Sequence, residues 1–296
     1  MSVRFLITHF YHSGFSVSCE DVLLVFDYWR GEEGELGPGR GLSDDTIRSF
    51  RKVVVFISHE HPDHLDPVVF TWRELTDVTY VVSSDMPVGT RGRRMAPGDT
   101  LDIEDGLSIK AFDSTDLGVS FLVSFRGCSF FHAGDLNFWH WREESTIQEI
   151  DEADQEFRKA VEPIGREQID VAFFPVDPRQ GTMFEAGANY FILTVKPRLL
   201  IPMHYFHRSD VATEYARTAG NRFTEVMAMP GICESVELEL DDDGYINIFA
   251  PQDETPAEEE PEEEIAEDVL SGDNPFSDSD LPLSQLAMDE DSSSDE

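Results

Sequence analysis

Short runs of β-branched and aromatic residues, separated by turn residues, recur along the first 250 residues of the chain. Such runs are typical of strands. The predicted strands are Val3 to Thr8, Phe15 to Ser18, Val22 to Asp27, Val53 to Ile57, Val78 to Ser83, Leu101 to Ile103, Leu107 to Phe112, Val119 to Phe125, Ser129 to His132, Ile169 to Phe174, Leu199 to Pro202, Val236 to Leu240 and Tyr245 to Phe249. The predicted helices are Ser43 to Phe50, Pro67 to Leu75, Glu144 to Glu162, Phe184 to Leu193 and Ser209 to Ala219. Two β-rich halves, each followed by helices, therefore alternate along the chain.

The clearest chemical pattern follows one of these strands. Val53 to Ile57 is an unbroken apolar run, which is typical of a strand buried on both faces. Directly after it, within six positions, come four side chains that can bind metal ions, namely His59, His61, Asp63 and His64. The whole chain has nine histidines, so three in one such segment are not expected by chance.

The local geometry of this segment brings the four side chains together. Alternation along an extended chain places His59 and His61 on the same side. Pro62 then turns the chain, so that Asp63 and His64 reach the same space from another direction. Imidazole and carboxylate suit a cation such as zinc, and two ligand pairs arranged in this way can hold two adjacent ions. The alternative is a polar loop in solvent.

Two aspartates at the ends of other strands are further candidates. Asp135 follows the predicted strand Ser129 to His132 and a glycine turn, where a carboxylate is well placed to bridge two metal ions. Asp27 ends an early strand, where it could hydrogen-bond to a ligand histidine or could simply form a turn. Asp66 and Pro67 have the residue types of a helix N-cap and a first helical position.

Acidic residues dominate the charge of the chain, with 60 Asp and Glu against 22 Lys and Arg. Residues 251–296 contain 18 of the acidic residues and none of the basic ones, so residues 1–250 are strongly acidic by themselves. Such a surface repels phosphates, which disfavours a large nucleic-acid partner. The most basic segment is the loop over 89–94, which could bind an anionic substrate group or could lie in solvent and offset the acidic body.

Length and a change in composition predict two regions, one large catalytic domain over 1–250 and a disordered acidic tail over 251–296. The tail is rich in Glu, Asp, Ser and Pro, and it cannot bury enough apolar surface to offset its conformational entropy. We expect it to solubilise the protein. The segments Asn274 to Ser277 and Leu281 to Leu283 could also bind a protein partner weakly.

Cysteine usage and the N-terminus bear on localisation. Cys19, Cys128 and Cys233 are scattered, odd in number and without metal-type spacing, which indicates buried thiols in a reducing compartment. The N-terminus has no signal-peptide pattern, and no stretch is long enough to span a bilayer. We therefore expect a soluble cytoplasmic protein without a membrane partner.

Taken together, these motifs resemble those of the metallo-β-lactamase superfamily. The order of an early strand-end aspartate (Asp27), the cluster over 59–64, a strand-Gly-Asp segment (Asp135) and a strand-end histidine (His204) is the order found there. The chain looks most like the cytoplasmic branch of metal-dependent hydrolases that includes the ascorbate-6-phosphate lactonase and, more distantly, the tRNA 3′-processing ribonucleases. The segments over 12–15 and 132–141 resemble a bacterial subset of that branch.

The resemblance implies an α+β fold, a four-layer αββα sandwich with the metal site at one edge between two sheets. It implies zinc, as one or two ions, and a metal-bound hydroxide that attacks an ester, lactone or phosphodiester. The charge pattern favours a small, anionic substrate, because the acidic body disfavours polynucleotides while the local arginines allow one or two negative groups. Asp63 would orient the hydroxide, and Asp135 would hold the metals together. The implied ligands are His59 and His61 for one ion, Asp63, His64 and His204 for the other, and Asp135 between them.

The chain departs from the family pattern upstream of Asp135, where a further histidine usually completes the first site. The corresponding segment over 112–118 has no histidine. Asp116 or Asp113 could substitute, His132 could turn into the site, the first ion could keep fewer protein ligands, or the protein could hold a single ion. An oxygen ligand would make manganese or iron more plausible than in a histidine-rich site.

Three further side chains could contact the substrate, and two tryptophans could line the pocket. His12 and His140 could act as acid–base or substrate-orienting groups, or could be packed elsewhere. Arg179 could pair with an anionic substrate or form a structural ion pair. Trp139 and Trp141 are expected in the core or the pocket wall and not as a platform for stacking nucleic-acid bases.

Three alternatives to a hydrolase of small substrates remain open. One is a phosphodiesterase or nuclease of the same fold. A di-iron oxidoreductase version of the fold is less expected, because those proteins usually have Glu at the position of His61. The third is a non-catalytic, metal-containing scaffold protein that binds a basic partner through its acidic tail.

Overall fold

A computed structural model describes residues 2–32, 34–37, 39–141 and 144–249. The predicted acidic tail over 251–296 lies outside these residues, so its disorder stays a prediction. In chain order the strands are β1 (Val3–His9), β2 (Phe15–Cys19), β3 (Val22–Phe26), β4 (Lys52–Ile57), β5 (Asp77–Ser83), β6 (Arg93–Met95), β7 (Thr100–Ile103), β8 (Leu107–Phe112), β9 (Ser120–Phe125), β10 (Cys128–His132), β11 (Val171–Pro175), β12 (Leu199–Met203), β13 (Glu225–Val226), β14 (Glu234–Leu240) and β15 (Ile246–Phe249). The α-helices are α1 (Asp44–Ser49), α2 (Ile147–Ile164), α3 (Ala186–Thr194) and α4 (Ser209–Ala219), and the 3-10 helices are Pro62–His64, Pro67–Glu74, Glu104–Gly106 and Pro178–Met183.

The described strands form two mixed sheets. The first sheet has the order β15-β14-β1-β2-β3-β4-β5-β6, and the second has the order β13-β12-β11-β10-β9-β8-β7. Parallel pairing connects β3, β4, β5 and β6 in the first sheet and β10, β11, β12 and β13 in the second. The remaining neighbouring strands pair antiparallel, such as β1 with β14. Each half of the chain therefore builds most of one sheet.

Aromatic side chains from the two sheets interlock in the main core. Phe15 of the first sheet stacks on Phe173 of the second with ring centroids 4.3 Å apart, and Phe56 meets Phe121 at 5.5 Å. All four rings are fully buried. Burial of each such side chain contributes about 1.5–3 kcal/mol. The inner faces of the two sheets are therefore joined by a dry apolar layer.

Helices cover both outer faces, which completes the predicted four-layer αββα sandwich. On the second sheet, Phe174 of β11 packs against Phe191 of α3 at 4.4 Å and against Phe157 of α2 at 6.5 Å. On the first sheet, Ile47 of α1 and Trp72 lie in the outer core. The α+β fold class is confirmed by this arrangement.

The 3-10 helix Pro67–Glu74 was predicted as a helix without regard to its type. Its N-cap is Asp66, whose side chain accepts a hydrogen bond from the backbone of Val68, and Pro67 is its first residue, as predicted. Val69 and Trp72 are its buried residues. A separation of three residues places both on one face of a 3-10 helix.

The basic loop predicted over 89–94 is in part a strand. Arg93–Met95 form β6, which pairs with β5, and Met95 is buried in the core. The guanidinium of Arg94 donates to the backbone carbonyls of Ser84, Met86 and Pro87. This arginine therefore holds a turn together and is not available for a substrate anion.

Cys19 and Cys128 are buried free thiols and Cys233 is a half-buried one. No helix in the described part of the chain is both long and apolar enough to cross a membrane.

Candidate metal centre

The carboxyl ends of strands from both sheets meet at one edge of the sandwich, and the predicted ligands follow them directly. Because parallel strands end at the same edge of a sheet, side chains that follow them converge. The segment over 59–64 follows β4, and Asp135 and His204 follow β10 and β12. Asp27 follows β3. The structure therefore brings together residues that are up to 177 positions apart in the chain.

The histidine cluster after β4 has the arrangement that alternation predicts. The rings of His59 and His61 lie edge to face with centroids 4.5 Å apart. Pro62–His64 form a single 3-10 turn that returns His64 to within 4.1 Å of the His59 ring. His59 and His64 are buried, whereas His61 and Asp63 reach the surface of a cavity.

Asp135 lies between two pairs of imidazoles. Its Oδ1 atom is 3.0 Å from Nε2 of His64 and 3.1 Å from Nε2 of His204. Its Oδ2 atom is 3.4 Å from Nε2 of His59 and 3.9 Å from Nδ1 of His61. The two carboxylate oxygens therefore face different histidines, which is the position that a bridging ligand needs.

Asp27 and Ser58 orient two of the histidines through their Nδ1 atoms, on the side of each ring away from Asp135. Nδ1 of His64 lies 2.8 Å from Oδ2 of Asp27, and because an ionised carboxylate only accepts, the imidazole donates. The hydroxyl of Ser58 donates to the same carboxylate at 2.5 Å and lies 2.9 Å from Nδ1 of His59. Both rings thus direct Nε2 into the cluster, as metal-binding histidines usually do. Asp27 occupies the supporting position that was one of its two predicted roles.

Asp177 has the same role for His204, and the sequence analysis missed it. Nδ1 of His204 lies 3.0 Å from Oδ2 of Asp177, which is fully buried. The guanidinium of Arg179 also donates to this carboxylate, at distances of 2.5 to 3.0 Å. Burial alone would raise the pKa of Asp177, but the bonds from His204 and Arg179 outweigh it and lower the pKa to about 2. The available signal was an aspartate directly after a buried strand.

The electrostatics of the cluster favour a bound cation. Burial would raise the pKa of Asp135, but His64 and His204 hold it well below its ordinary value. Burial would lower the pKa of His64, but Asp135 and Asp27 raise it well above its ordinary value. The carboxylates therefore stabilise positive charge among the imidazoles, and a metal ion supplies such charge.

Several buried atoms that face one another at this cluster have no hydrogen-bond partner among the described residues. They are Nε2 of His59, His64 and His204, Oδ1 of Asp135, and both ring nitrogens of His12. Some of these atoms are close together, such as Nε2 of His64 and Oδ1 of Asp135 at 3.0 Å, but they do not have the geometry of a hydrogen bond. An unpaired buried polar atom costs about 1–3 kcal/mol, and such atoms are rare in folded proteins. A metal ion bound among them would give each a partner.

Groups of side chains whose ligand atoms lie within 4.8 Å of one another are consistent with two ion positions. One group is His59, His61 and Asp135, and another is His12, Asp63, His64 and His204. A third group contains Asp27, His59 and His64, but both oxygens of Asp27 already accept hydrogen bonds. The imidazole and carboxylate donors of the first two groups fit zinc, and they also allow manganese or iron.

A cavity of about 370 Å³ opens directly above the cluster. Its lining residues are His61, Asp63, Thr115, Asp116, Asp135, Trp139, Trp141, Arg179 and His204. The indole of Trp139 donates to the backbone carbonyl of Asp135 at 2.7 Å and meets His204 edge to face. Both tryptophans line the cavity, in agreement with the expectation of a pocket wall.

Two glycines allow the loop over 113–118 and the turn before Asp135 to approach the cluster. A Cβ atom on Gly118 would lie 1.9 Å from the carbonyl oxygen of Ser58, and one on Gly134 would lie 2.8 Å from the Ser58 Cβ. Both glycines have positive φ, of 80° and 54°. The hydroxyl of Thr115 accepts from the backbone of Asn137, which ties this loop to the segment after Asp135.

The alternatives for the missing histidine have different outcomes. Asp116 is exposed and lines the cavity near His61, but it lies outside the groups of close ligand atoms. Asp113 is exposed and bonds to the next backbone amide. The suggestion that His132 turns into the site is corrected. Its Nε2 atom lies 2.8 Å from the carbonyl of Ser13 and its Nδ1 atom accepts from Gly134, so neither nitrogen is left for an ion.

The three predicted substrate contacts lie in different surroundings. Arg179 lines the cavity, bonded to Asp177. His140 does not line it, which corrects that prediction, because its ring is buried against Phe138 with Nε2 3.3 Å from the carbonyl of Met183. His12 lies beneath the cavity, fully buried, and is grouped with ligands of the second ion position.

Comparisons with known proteins identify the fold. The sequence matches no protein-family model, and no curated protein matches it significantly. Among solved structures, Igni18, a metallo hydrolase from the archaeon Ignicoccus hospitalis, is 20% identical, with 80% of this chain and 98% of that chain covered and a TM-score of 0.58. The metallo-β-lactamase fold protein YhfI from Bacillus subtilis is 12% identical, with 84% and 100% covered and a TM-score of 0.51.

A third similar structure has a different named chemistry. CmlA, a diiron β-hydroxylase from Streptomyces venezuelae, is 12% identical, with 80% of this chain and 54% of that chain covered and a TM-score of 0.51. At such low identity these likenesses concern the fold alone. The chain therefore has the metallo-β-lactamase fold that its motifs resemble.

Proposed function

We propose that this chain is a metal-dependent hydrolase that cleaves an ester, lactone or phosphodiester bond of a small, anionic substrate. The observation that carries the proposal is the group of buried, unpaired ligand atoms around Asp135, beneath a cavity of small-molecule size. The rings of His59, His64 and His204 are already oriented by bonds to their other nitrogens, as ligand histidines in metalloproteins are. This preorganisation supports a metal site more than it supports a packed polar core.

Zinc, as one or two ions, is the proposed cofactor. The proposed ligands are His59 and His61 for one ion, Asp63, His64 and His204 for the other, and Asp135 between them. When bound, such ions lower the pKa of a water molecule and stabilise negative charge on the substrate. Manganese and iron belong in the test, because an oxygen ligand in place of a histidine softens the preference for zinc. The name of the diiron neighbour is a second reason to include iron.

Asp63 and Asp135 have different proposed roles because they differ in exposure. Asp63 is half-buried and reaches the cavity, where its carboxylate can accept a hydrogen bond from an attacking water molecule and fix its orientation. Asp135 is buried among the imidazoles and holds the two ligand groups in register. Trp139 and Trp141 wall off one side of the cavity from solvent.

The charges around the cavity favour an anionic substrate once ions are bound. Without ions, the lining has the carboxylates of Asp63, Asp116 and Asp135 against the guanidinium of Arg179. Two divalent ions would reverse the sign of this local charge. The acidic body of the protein still repels a polynucleotide, with 60 acidic against 22 basic residues in the chain. A small molecule with one or two negative groups is therefore the proposed substrate.

The test measures metal content and turnover in the full-length protein. After loading with zinc, manganese or iron(II), aerobically and anaerobically, we expect one or two ions per chain and metal-dependent hydrolysis of at least one class in a panel of esters, lactones and bis(p-nitrophenyl) phosphate. Asp135→Asn should lose at least one ion and more than about 100-fold in turnover. Asp45→Asn, on the exposed side of α1, is the control and should match the wild type.

The same experiment decides between the alternatives. A wild-type chain that stays free of metal under every condition would contradict the proposal. Turnover of the phosphodiester alone would favour a phosphodiesterase or nuclease. A chain that holds metal, hydrolyses nothing in the panel and loses a basic protein partner when residues 251–296 are deleted would be a scaffold protein.

A further inference from the structure

His12 is a buried imidazole that no hydrogen bond explains. Its ring lies between those of His204 and Phe206, with centroids 3.9 Å from each, and none of it is exposed. Neither ring nitrogen has a hydrogen-bond partner among the described residues. By contrast, the buried histidines His9, His132 and His140 each have a ring nitrogen within hydrogen-bond distance of a backbone carbonyl. An imidazole with both nitrogens unpaired in the interior is unfavourable unless a ligand completes it.

The backbone around His12 fixes this position in a conformation that is itself unfavourable. His12 has a φ of 56°, in the left-handed region. The turn is closed by bonds from Phe10 to Gly14 and from Gly14 to Tyr11, at 2.9 and 2.8 Å. The carbonyl of His12 accepts from the backbone of His204 at 3.0 Å, which joins the turn to the strand end that carries a predicted ligand. The fold thus holds the ring in place despite a backbone cost of about 1–2 kcal/mol.

Three of the side chains around His12 are proposed metal ligands. Its Nε2 atom lies 3.3 Å from Oδ2 of Asp63, without the alignment of a hydrogen bond. The ligand atoms of His12, Asp63, His64 and His204 all lie within 4.8 Å of one another. Three imidazole nitrogens and one carboxylate oxygen that converge in this way form a tetrahedral-type donor set for a divalent cation.

We propose that His12 is a fourth protein ligand of the ion held by Asp63, His64 and His204, so that the two ion positions are unequal. This inference rests on the proposed function, because it presupposes that the centre binds metal. The position at His12 has four donors besides the neighbouring Asp135, and three of these four side chains are buried, whereas Asp63 borders the cavity. The position at His59 and His61 has three with Asp135, and His61 is partly exposed.

The inequality predicts the order in which the two ions bind. The ion at the position that includes His12 should bind first and exchange more slowly, because more side chains would hold it. The ion at the position of His59 and His61 should bind more weakly, because fewer side chains would hold it and His61 is partly exposed.

The test follows metal binding and not activity alone. Full-length apoprotein is titrated with cobalt(II), and each equivalent is measured by its absorption bands and by competition with a chelator. In His12→Phe, we expect the first equivalent to bind more than about 100-fold more weakly, because loss of a group that merely orients a ligand already costs about 10–100-fold. In His61→Phe, the first equivalent should be unchanged and the second should weaken. His140→Phe replaces a buried histidine outside the groups of close ligand atoms, and it should leave both equivalents unchanged.

Two further measurements keep the outcome clear. His12→Asn retains a residue that tolerates positive φ, so it should fold even if the phenylalanine variant does not. X-ray absorption of the wild type with one equivalent of zinc should count three imidazoles, whereas two would overturn the proposal. Unchanged first-equivalent affinity in a folded His12 variant would overturn it too. A wild type that binds no cobalt at all would instead contradict the proposed function.

Discussion

Replacement of Asp177 by asparagine tests whether the hydrogen bonds behind the cluster prepare it for metal. Asp177 is fully buried and accepts from Nδ1 of His204 at 3.0 Å and from the guanidinium of Arg179. Asparagine has the same shape and can still accept one bond from His204, but it has no charge. The variant therefore removes the electrostatic part of the support and leaves the packing in place.

The expected magnitude follows from the difference between the two kinds of hydrogen bond. A bond to a charged group contributes about 1.5–3 kcal/mol and a neutral one about 0.5–1.5 kcal/mol. The loss of about 1–2 kcal/mol corresponds to about 5- to 30-fold weaker binding of the ion next to His204. This range overlaps the loss of about 10- to 100-fold in metal affinity that is typical when a group that orients a ligand is changed.

The chain offers a matched control for this variant. Arg208 and Asp210 form an ion pair with the same residue types two positions apart, but exposed and without an imidazole. Metal affinity, measured by chelator competition on the full-length protein, should fall in Asp177→Asn and stay within about 2-fold of the wild type in Asp210→Asn. Equal affinities in the two folded variants would refute the claim that Asp177 acts on the metal through His204.

Three further outcomes are expected. Gly118→Ala should lower kcat/KM by about 10-fold or more, as measured on the substrate found in the panel, because the added Cβ would lie 1.9 Å from the Ser58 carbonyl and displace the loop that lines the cavity. Trp72→Ala should lower the free energy of unfolding by about 3–5 kcal/mol in urea denaturation, since this fully buried ring fills the outer core. Zinc at about 1,000 times its dissociation constant should stabilise the apoprotein by about 4 kcal/mol in thermal unfolding, and no shift would contradict a folded-state site.

The proposed ligands could be predicted to lie together because each follows a predicted strand closely. A run such as Val53 to Ile57 predicts a buried strand from composition alone, and the ends of parallel strands meet at one edge. Residue type then predicts the chemistry, as for His59, His64 and Asp135. Their proximity could be predicted without coordinates, because the topology of the sheets places these strand ends at one edge.

The supporting residues could not be predicted in the same way, because their role depends on which ring nitrogen faces the cluster. Asp177 stands in a Val-Asp-Pro-Arg segment, which by itself is typical of a turn. Ser58 is one hydroxyl among many. Their function appears once His204 and His59 are seen to direct Nε2 inwards. For Asp177 the sequence shows only an aspartate near the end of a strand, and the ring orientation that gives it its role is three-dimensional.

His132 and His12 show that contacts with distant parts of the chain decide whether a histidine can bind a metal ion. His132 ends a strand and so has the position of a ligand, but its ring is stacked on Phe26 at 5.4 Å and bonded to the carbonyl of Ser13. Ser13 is 119 positions away in the chain, and no local pattern reveals that contact. His12, in the same distant turn, has the opposite outcome, because its nitrogens face other donors and find no backbone group.

Backbone conformation shows where the site overrides local preferences. His12, Asp27 and His204 all have positive φ, at 56°, 41° and 67°, and all three contact the cluster directly after or near a strand end. Each costs about 1–2 kcal/mol relative to an ordinary conformation. Glycine would remove that cost, but it would also remove the imidazole or carboxylate that the turn directs inwards. Local rules therefore fail at these positions for one reason: a side chain must leave the strand direction to reach the crevice between the sheets, and a left-handed residue is the shortest way to redirect it.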